Sequence, residues 1–254
     1  MNFRNAICFF TRLPVGSPDA TASYSGATVW LPTVGLLIGF LLAPCMVLFA
    51  NGFPHAVSGL LLCLAWVAVT GGLHLDGVCD CGDGLLVAAS RERRLEIMKD
   101  SRLGSYSAIA LFFVLGTKVV TLSVLCSGIA FDMNGLSRAL GICIPAACFA
   151  RGMVFVALPI RSARPNGMGA TGVRGITIRH QLANAAMMIA IAACLGTEGF
   201  VLLAVALATA GLFLRYVVAR IGGVTGDVFG CLVEMTECAI LVALTCTTQG
   251  GLHG

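Results

Sequence analysis

The chain has 254 residues, of which 58% are hydrophobic and 11% are charged, and its mean hydropathy is +0.94. Because soluble domains carry about 25% charged residues, this composition excludes an ordinary soluble domain and predicts that much of the surface faces lipid. The net charge of +4 is small, so the positions of the charges are more informative than their sum. We count one integral membrane domain over residues 1–254.

The first predicted element is a short helix at the membrane surface, in residues 3–13. It combines Phe9 and Phe10 with Arg4 and Arg12, and it stops near Pro14. This pattern is typical of an amphipathic segment that lies in the bilayer interface. A polar loop follows at residues 18–26.

Apolar segments then predict an all-α polytopic fold, since about 20 apolar residues cross a bilayer. The predicted spans, about seven in number, cover residues 31–50, 56–73, 105–129, 138–159, 182–195, 200–216 and 230–247. Residues 90–100 predict an amphipathic helix, with Leu95, Ile97 and Met98 on its apolar side. Glycine-rich loops are predicted at residues 161–181 and 220–229.

Basic residues segregate to one set of span ends. With seven spans, 13 of the 16 Lys and Arg residues lie on the same side as the N-terminus. The positive-inside rule makes this side cytoplasmic, with the C-terminus on the other side. The aspartate-rich segment 71–84 and both glycine-rich loops fall on this face.

The segment 71–84 carries Asp76, Asp80 and Asp83 at spacings of four and three, which places them on one face of a helix. Three carboxylates so close together repel one another and stay ionised only beside a cation. Mg²⁺ suits such a site, because it binds through a few carboxylates and leaves room for water and phosphates. Gly77, Gly82 and Gly84 would let a phosphate approach the backbone. The segment therefore predicts a Mg²⁺–diphosphate site at a membrane surface.

A second acidic stripe begins at Asp227 and continues with Glu234 and Glu237 at the same predicted membrane level. The two stripes would share a metal site, with Asp227 and Glu234 as further ligands. The alternative is that the two glutamates pair with Lys118 or Arg151 inside the spans.

Three basic residues are candidates for binding the diphosphate: Lys99, Arg102 and Arg12. Each has the alternative role of a positively charged anchor at the membrane surface. His74 is a candidate general base, although an offset of two from Asp76 points elsewhere on a strict helix. Cys79 and Cys81 suggest zinc, but no second cysteine pair at ligand spacing supports it.

Several stretches resemble the cobalamin synthase family, the adenosylcobinamide-GDP ribazoletransferases of the bacterial inner membrane. They are Phe10-Thr11-Arg12-Leu13-Pro14-Val15, His74-Leu75-Asp76-Gly77 with Asp80 and Asp83-Gly84, residues 94–104, and Thr225-Gly226-Asp227. The resemblance covers about residues 3–237, and the central block is its most specific part.

The resemblance implies the last assembly step of the coenzyme B12 nucleotide loop. Such an enzyme joins adenosylcobinamide-GDP to α-ribazole or its 5′-phosphate, releases GMP and uses Mg²⁺. The expected metal ligands are Asp76, Asp80, Asp83, Asp227 and Glu234, and the expected catalytic residues are Asp80, Asp227 and His74. The expected partners are these substrates and the lipid bilayer, without nucleic acid, and a homo-oligomer or a complex with other corrinoid-pathway enzymes stays open.

Two other functions remain as alternatives. A CDP-alcohol phosphotransferase also uses an aspartate cluster at a membrane interface, but its D-G-x-x-A-R signature is absent, because Val78, Cys79, Asp80 and Cys81 follow Asp76-Gly77. A transporter places polar residues near mid-membrane, as Lys118 and Arg151 would be.

Overall fold

The computed structural model describes residues 2–16, 26–164 and 167–250, with backbone only at 168–169 and 248–250. The described residues fold into α-helices joined by short loops. The helices are α1 (Phe3–Phe10), α2 (Leu31–Gly52), α3 (His55–Thr70), α4 (Leu73–Leu86), α5 (Arg91–Ile97), α6 (Ser105–Cys126), α7 (Met133–Gly152), α8 (Val154–Ala157), α9 (Met168–Gly172), α10 (Ile178–Cys194), α11 (Gly196–Ile221) and α12 (Gly226–Gly250), with a 3-10 helix at Ala27–Trp30.

The predicted all-α membrane fold is confirmed. Five segments are long and apolar enough to cross a bilayer: Ala27–Gly52, Ser105–Cys126, Met133–Ala157, Gly196–Ile221 and Gly226–Thr247. The bent pair of α3 and α4 would add a sixth, with α3 as its membrane-crossing part. The 17-residue α10 is at the lower limit of length for a crossing, so the expected number of about seven agrees roughly with the structure.

Some predicted boundaries shift. The predicted loop at 161–181 contains α9 and the start of α10, and most of the loop at 220–229 is helical. Asp227 therefore lies in the first turn of α12 rather than in a loop. Of the polar loop at 18–26, only Gly26 lies among the described residues.

The chain turns sharply between α3 and α4, whose axes differ in direction by 96°. Gly71 and Gly72 make the turn with φ of 66° and 69°, a left-handed conformation that side-chain-bearing residues rarely adopt. Helix α4 packs mainly across α12 and α6, close to their first turns at Asp227 and Tyr106. We therefore place α4 across one end of the bundle, outside the membrane-spanning helices.

Helices α2 and α7 pack backbone against backbone. A Cβ atom on Gly35 would lie 2.5 Å from the carbonyl oxygen of Ala147, and one on Gly39 would lie 2.6 Å from the Cα of Ile144. Small residues four apart allow this close approach, which drives helix association in membranes through van der Waals contact.

A buried ion network joins α6, α7 and α12 in the bundle interior. Lys118 Nζ contacts Glu234 Oε2 at 2.5 Å and also pairs with Glu237, while Arg151 Nη1 contacts Glu237 Oε1 at 2.6 Å. All four side chains are almost completely buried. Lys118 also lies 5.2 Å from the ring centroid of Trp66 on α3, so the network links four helices.

The glycine contact predicts a stability effect. Gly39→Val should destabilise the fold by about 1–3 kcal/mol, the cost of overpacking a tight core, because α7 backbone fills the space. Thermal unfolding of the purified protein in detergent measures this. In the matched control Gly116→Ala, the added Cβ meets nothing within 4 Å, so stability should be unchanged or slightly raised. An equal loss in both variants would contradict the packing argument.

The ion network predicts a larger effect. Lys118→Met leaves Glu234 with no cation at ion-pair distance among the described residues, and breaking a buried pair costs about 3–5 kcal/mol. We expect a strong drop in Tm or in the yield of folded protein. The control Arg93→Met removes an ion pair whose side chains are 66% and 64% exposed, which is worth about 0–1 kcal/mol. If the two variants unfold at the same temperature, the network does not stabilise the bundle.

Candidate active site

The site forms where α4 crosses α12 at close range. A Cβ atom on Gly77 would lie 2.4 Å from the carbonyl oxygen of Asp227, and one on Gly230 would lie 3.2 Å from the Cα of His74. Because neither glycine has a side chain, the two backbones touch. This contact brings the first aspartates of α4 next to the first turn of α12, as the two predicted acidic stripes require.

A loop on the other side fixes Asp227. Residues 161–163 pair with Val224 through backbone hydrogen bonds of 3.0 Å (Val224 N to Arg161 O) and 2.8 Å (Ala163 N to Val224 O). Arg164, which follows, donates from Nη1 to Asp227 Oδ2 at 2.9 Å and from Nη2 to the carbonyl of Leu95 at 3.0 Å. The Thr225 hydroxyl donates to the same Asp227 oxygen at 3.2 Å. The Arg164 guanidinium therefore lies beside the acids.

Asp80 shows how crowded the negative charge is. Burial, and then the neighbouring carboxylates of Asp227 and Asp76, raise the pKa of Asp80 to about 7. Arg164 offsets only part of this effect. A half-buried carboxylate with such a pKa lies where an added cation would be stabilised.

Asp83 has a second engagement that the sequence did not reveal. It accepts hydrogen bonds from the backbone N–H groups of Gly104 at 2.7 Å and Ser107 at 3.0 Å, and from the Ser107 hydroxyl. Although burial works to raise its pKa, these hydrogen bonds hold the pKa of Asp83 below its usual value. Asp83 thus caps the start of α6, and fewer of its lone pairs remain for a metal than at Asp76 or Asp80.

His74 is buried at the crossing, with 5% of its surface exposed. Burial, and then the charge of Arg151, lower the pKa of His74 to about 3. The imidazole is therefore neutral, and it is a weaker base than the free side chain. Its Nδ1 atom is buried and has no hydrogen-bond partner. These features favour a role in binding over the expected role as general base.

Glu234 is engaged in the buried ion network of the bundle interior. Among the described residues, its ion-pair partner is Lys118. This pairing is the structural alternative that the sequence left open. We therefore assign Glu234 and Glu237 to bundle stability and remove Glu234 from the metal ligands.

The expected phosphate-binding cations are spread over the same end of the bundle. Lys99 is exposed. Arg102 has a side chain that is 88% exposed and contacts Asp100 at 2.6 Å, so the structure gives it an exposed acidic partner outside the cluster. The Arg12 side chain packs against the turn that precedes α4. A Cβ atom on Gly71 would lie 2.3 Å from Arg12 Nε. Of the three, Arg12 is the one that the structure sets against the turn leading to His74.

Sequence reasoning missed the role of Arg164. In the sequence it is one of several basic residues in a predicted loop, and no spacing relates it to Asp227, which lies 63 residues later. The same is true of Arg94, which is buried and donates to the carbonyls of Gly84 and Leu85 at 3.1 and 2.7 Å. Arg94 thereby holds the end of α4.

A cavity of about 200 Å³ opens at the crossing. Its polar lining includes Asp76, His74, Arg164 and Asp227. Its apolar lining includes Phe9, Phe10, Leu31, Leu73, Val154, Phe229 and Val233. A cavity with a few charged groups among apolar walls is typical of a small-molecule site.

The donor set of the site fits Mg²⁺ by its chemistry. No three His, Cys, Asp or Glu side chains among the described residues stand close enough to hold a metal by themselves. Mg²⁺ does not require such a cage, because it is usually bound by one or two carboxylates together with substrate phosphates and water. Asp76, Asp80 and Asp227 supply hard oxygen ligands of this kind.

Comparison with known proteins identifies the family. The sequence model of the family described as cobalamin-5-phosphate synthase matches residues 2–245. Relatives named adenosylcobinamide-GDP ribazoletransferase include proteins from Klebsiella pneumoniae subsp. pneumoniae (36% identical over 96% of this chain and 98% of the relative), Pseudomonas paraeruginosa (35%, 94% and 95%) and Acetivibrio thermocellus (31%, 92% and 93%). No solved structure matches the chain. The match over nearly the whole length means that this chain belongs to the cobalamin-5-phosphate synthase family.

Proposed function

We propose that this chain is a multi-pass membrane transferase that joins adenosylcobinamide-GDP to α-ribazole or its 5′-phosphate, yielding adenosylcobalamin or its 5′-phosphate and GMP. Family membership supports the reaction. One observation carries the site: the α4–α12 crossing sets Asp80 beside Asp227, and Asp227 lines the cavity together with its partner Arg164.

The reaction displaces GMP from phosphorus. A ribose hydroxyl of the acceptor forms a bond to the phosphorus attached to cobinamide, and the bond between that phosphorus and the oxygen bridging to GMP breaks. The hydroxyl proton goes to a carboxylate, for which Asp80 and Asp227 are the candidates. Arg164 donates toward charge on the phosphates, and Arg12, Lys99 and Arg102 add positive charge at the same end of the bundle.

We propose Mg²⁺ as the cofactor, bound by one or two of the carboxylates of Asp76, Asp80 and Asp227 together with substrate phosphates and water. When bound, Mg²⁺ neutralises diphosphate charge and stabilises charge on the leaving GMP. The raised pKa of Asp80 and the hard-oxygen donor set support this assignment. The Asp83 carboxylate already accepts hydrogen bonds from the start of α6. Asp83 would therefore bind the metal only through a lone pair that these hydrogen bonds leave free.

We place the site on the cytoplasmic face of the bacterial inner membrane. The placement is supported by the concentration of Lys and Arg on the connections at this end, including α5 and residues 161–164. A CDP-alcohol phosphotransferase would release CMP rather than GMP. The transporter alternative depended on Lys118 and Arg151, which in the structure pair with glutamates inside the bundle.

Turnover tests the role of Asp80. Asp80→Asn should lower the rate of GMP release from adenosylcobinamide-GDP and α-ribazole by at least about 100-fold, the usual contribution of a positioned acid or base. Membrane insertion and Tm should be preserved. Asp132→Asn is the matched control, because Asp132 caps the distant N-terminus of α7 and asparagine caps equally well. Near-normal turnover in Asp80→Asn would refute the role of this carboxylate.

Removal and return of divalent ions test the metal. Removing divalent ions with EDTA should abolish GMP release, and adding Mg²⁺ should restore it. Independently of turnover, Mg²⁺ with GDP should raise the Tm of the wild type, because a ligand that binds the folded state stabilises it. The rise should be smaller in Asp80→Asn and unchanged in Asp132→Asn. Full activity in EDTA would exclude Mg²⁺ as the cofactor.

A further inference from the structure

We propose that the apolar depth of the cavity binds the aromatic base of the ribazole acceptor, that the His74 side chain donates to the base, and that Phe229 limits the size of the base. The inference rests on the proposed function and specifies which substrate part occupies this space.

The cavity extends from charged residues into the apolar bundle. Along α12, its lining runs from Asp227 through Gly230 to Val233, which lies about 9 Å further along the helix axis. Val233 and Val154 are completely buried, and Leu31 is 2% exposed. An occupant of the depth must therefore be mostly apolar, while its other end reaches the aspartates.

The volume selects among the substrate parts. A cavity of about 150 Å³ with apolar walls takes up one benzene ring, so about 200 Å³ has room for a flat ring system somewhat larger than benzene. The base of ribazole, a dimethylated benzimidazole, is such a bicycle. A corrin macrocycle is too large to enter, and guanine presents several hydrogen-bonding groups that the apolar depth does not match.

One polar atom of the site matches one polar atom of the base. His74 lines the cavity, and its Nδ1 is buried without a partner. An unpaired buried polar atom is costly, which points to a hydrogen bond with a ligand. The glycosylated benzimidazole has a single free ring nitrogen, an acceptor. An imidazole with its proton on Nδ1 donates to that nitrogen.

Phe229 borders two neighbouring cavities. A second, smaller cavity of about 100 Å³ is lined by Phe229 together with Ala157, Ile160 and Val224, and Phe229 also lines the main cavity. Its side chain, 8% exposed, lines both spaces, as Ser162 and Ala170 do, and it is the largest of the three. Shortening this side chain would join them and admit a longer base.

Two substitutions of opposite size test the proposal, each assayed by GMP release with separate variation of the two substrates. Val154→Phe fills the cavity and should raise KM for α-ribazole about 10-fold, since small changes of volume in an apolar pocket alter selectivity by about 10- to 200-fold. KM for adenosylcobinamide-GDP should stay within about twofold. A naphthimidazole has one more fused ring than a benzimidazole. In Phe229→Leu, the ratio of kcat/KM for the naphthimidazole riboside to kcat/KM for α-ribazole should rise about 10-fold.

Val120→Phe is the matched control, because Val120 on α6 is 63% exposed and outside the cavity; its kinetic constants should equal those of the wild type. Binding of α-ribazole alone, followed by its fluorescence, should weaken in Val154→Phe. A rise in KM for adenosylcobinamide-GDP in Val154→Phe would assign the cavity to the donor and overturn the proposal. An unchanged KM for α-ribazole in Val154→Phe, together with unchanged selectivity between the two ribosides in Phe229→Leu, would also overturn it. Failure of the wild type to release GMP at all would instead reject the proposed function.

Discussion

The backbones of α4 and α12 touch at Gly77 and Gly230, and the site depends on this contact. With any larger side chain at Gly77, the added atoms would run into the carbonyl of Asp227, and the helices would have to separate. The acidic residues of α4 would then lose their relation to α12. A contact between two residues without side chains therefore does more to define the site than any single charged residue.

The bundle around this contact is held in two ways. Helices α2 and α7 meet through glycines, which depends only on shape and van der Waals contact. Helices α6, α7 and α12 meet through the Lys118–Glu237–Arg151 network, where paired charges offset the high cost of burying ions. Because the network lies along the same helix as Asp227, a change in it is expected to reach the site through the position of α12.

The site itself combines excess negative charge with an apolar interior. The negative charges of Asp76 and Asp227 lie close to Asp80. Arg164, which binds Asp227, offsets this negative charge only in part. This imbalance suits a divalent cation carrying a diphosphate. The neighbouring apolar space suits a flat aromatic ring, so in the proposed reaction one cavity would bind both the reacting diphosphate and the base of the acceptor.

Composition and local pattern were sufficient to predict the all-α membrane fold, the segregation of basic residues and the helical face shared by Asp76, Asp80 and Asp83. These properties depend on hydropathy and on the period of a helix, which are local. Only the tertiary structure decided between a metal-binding role and an ion pair for Glu234. It also revealed that Asp83 caps α6, that His74 is buried and that Arg164 binds Asp227. Each of these depends on which distant segment packs nearby, and spacing along one chain carries no such information.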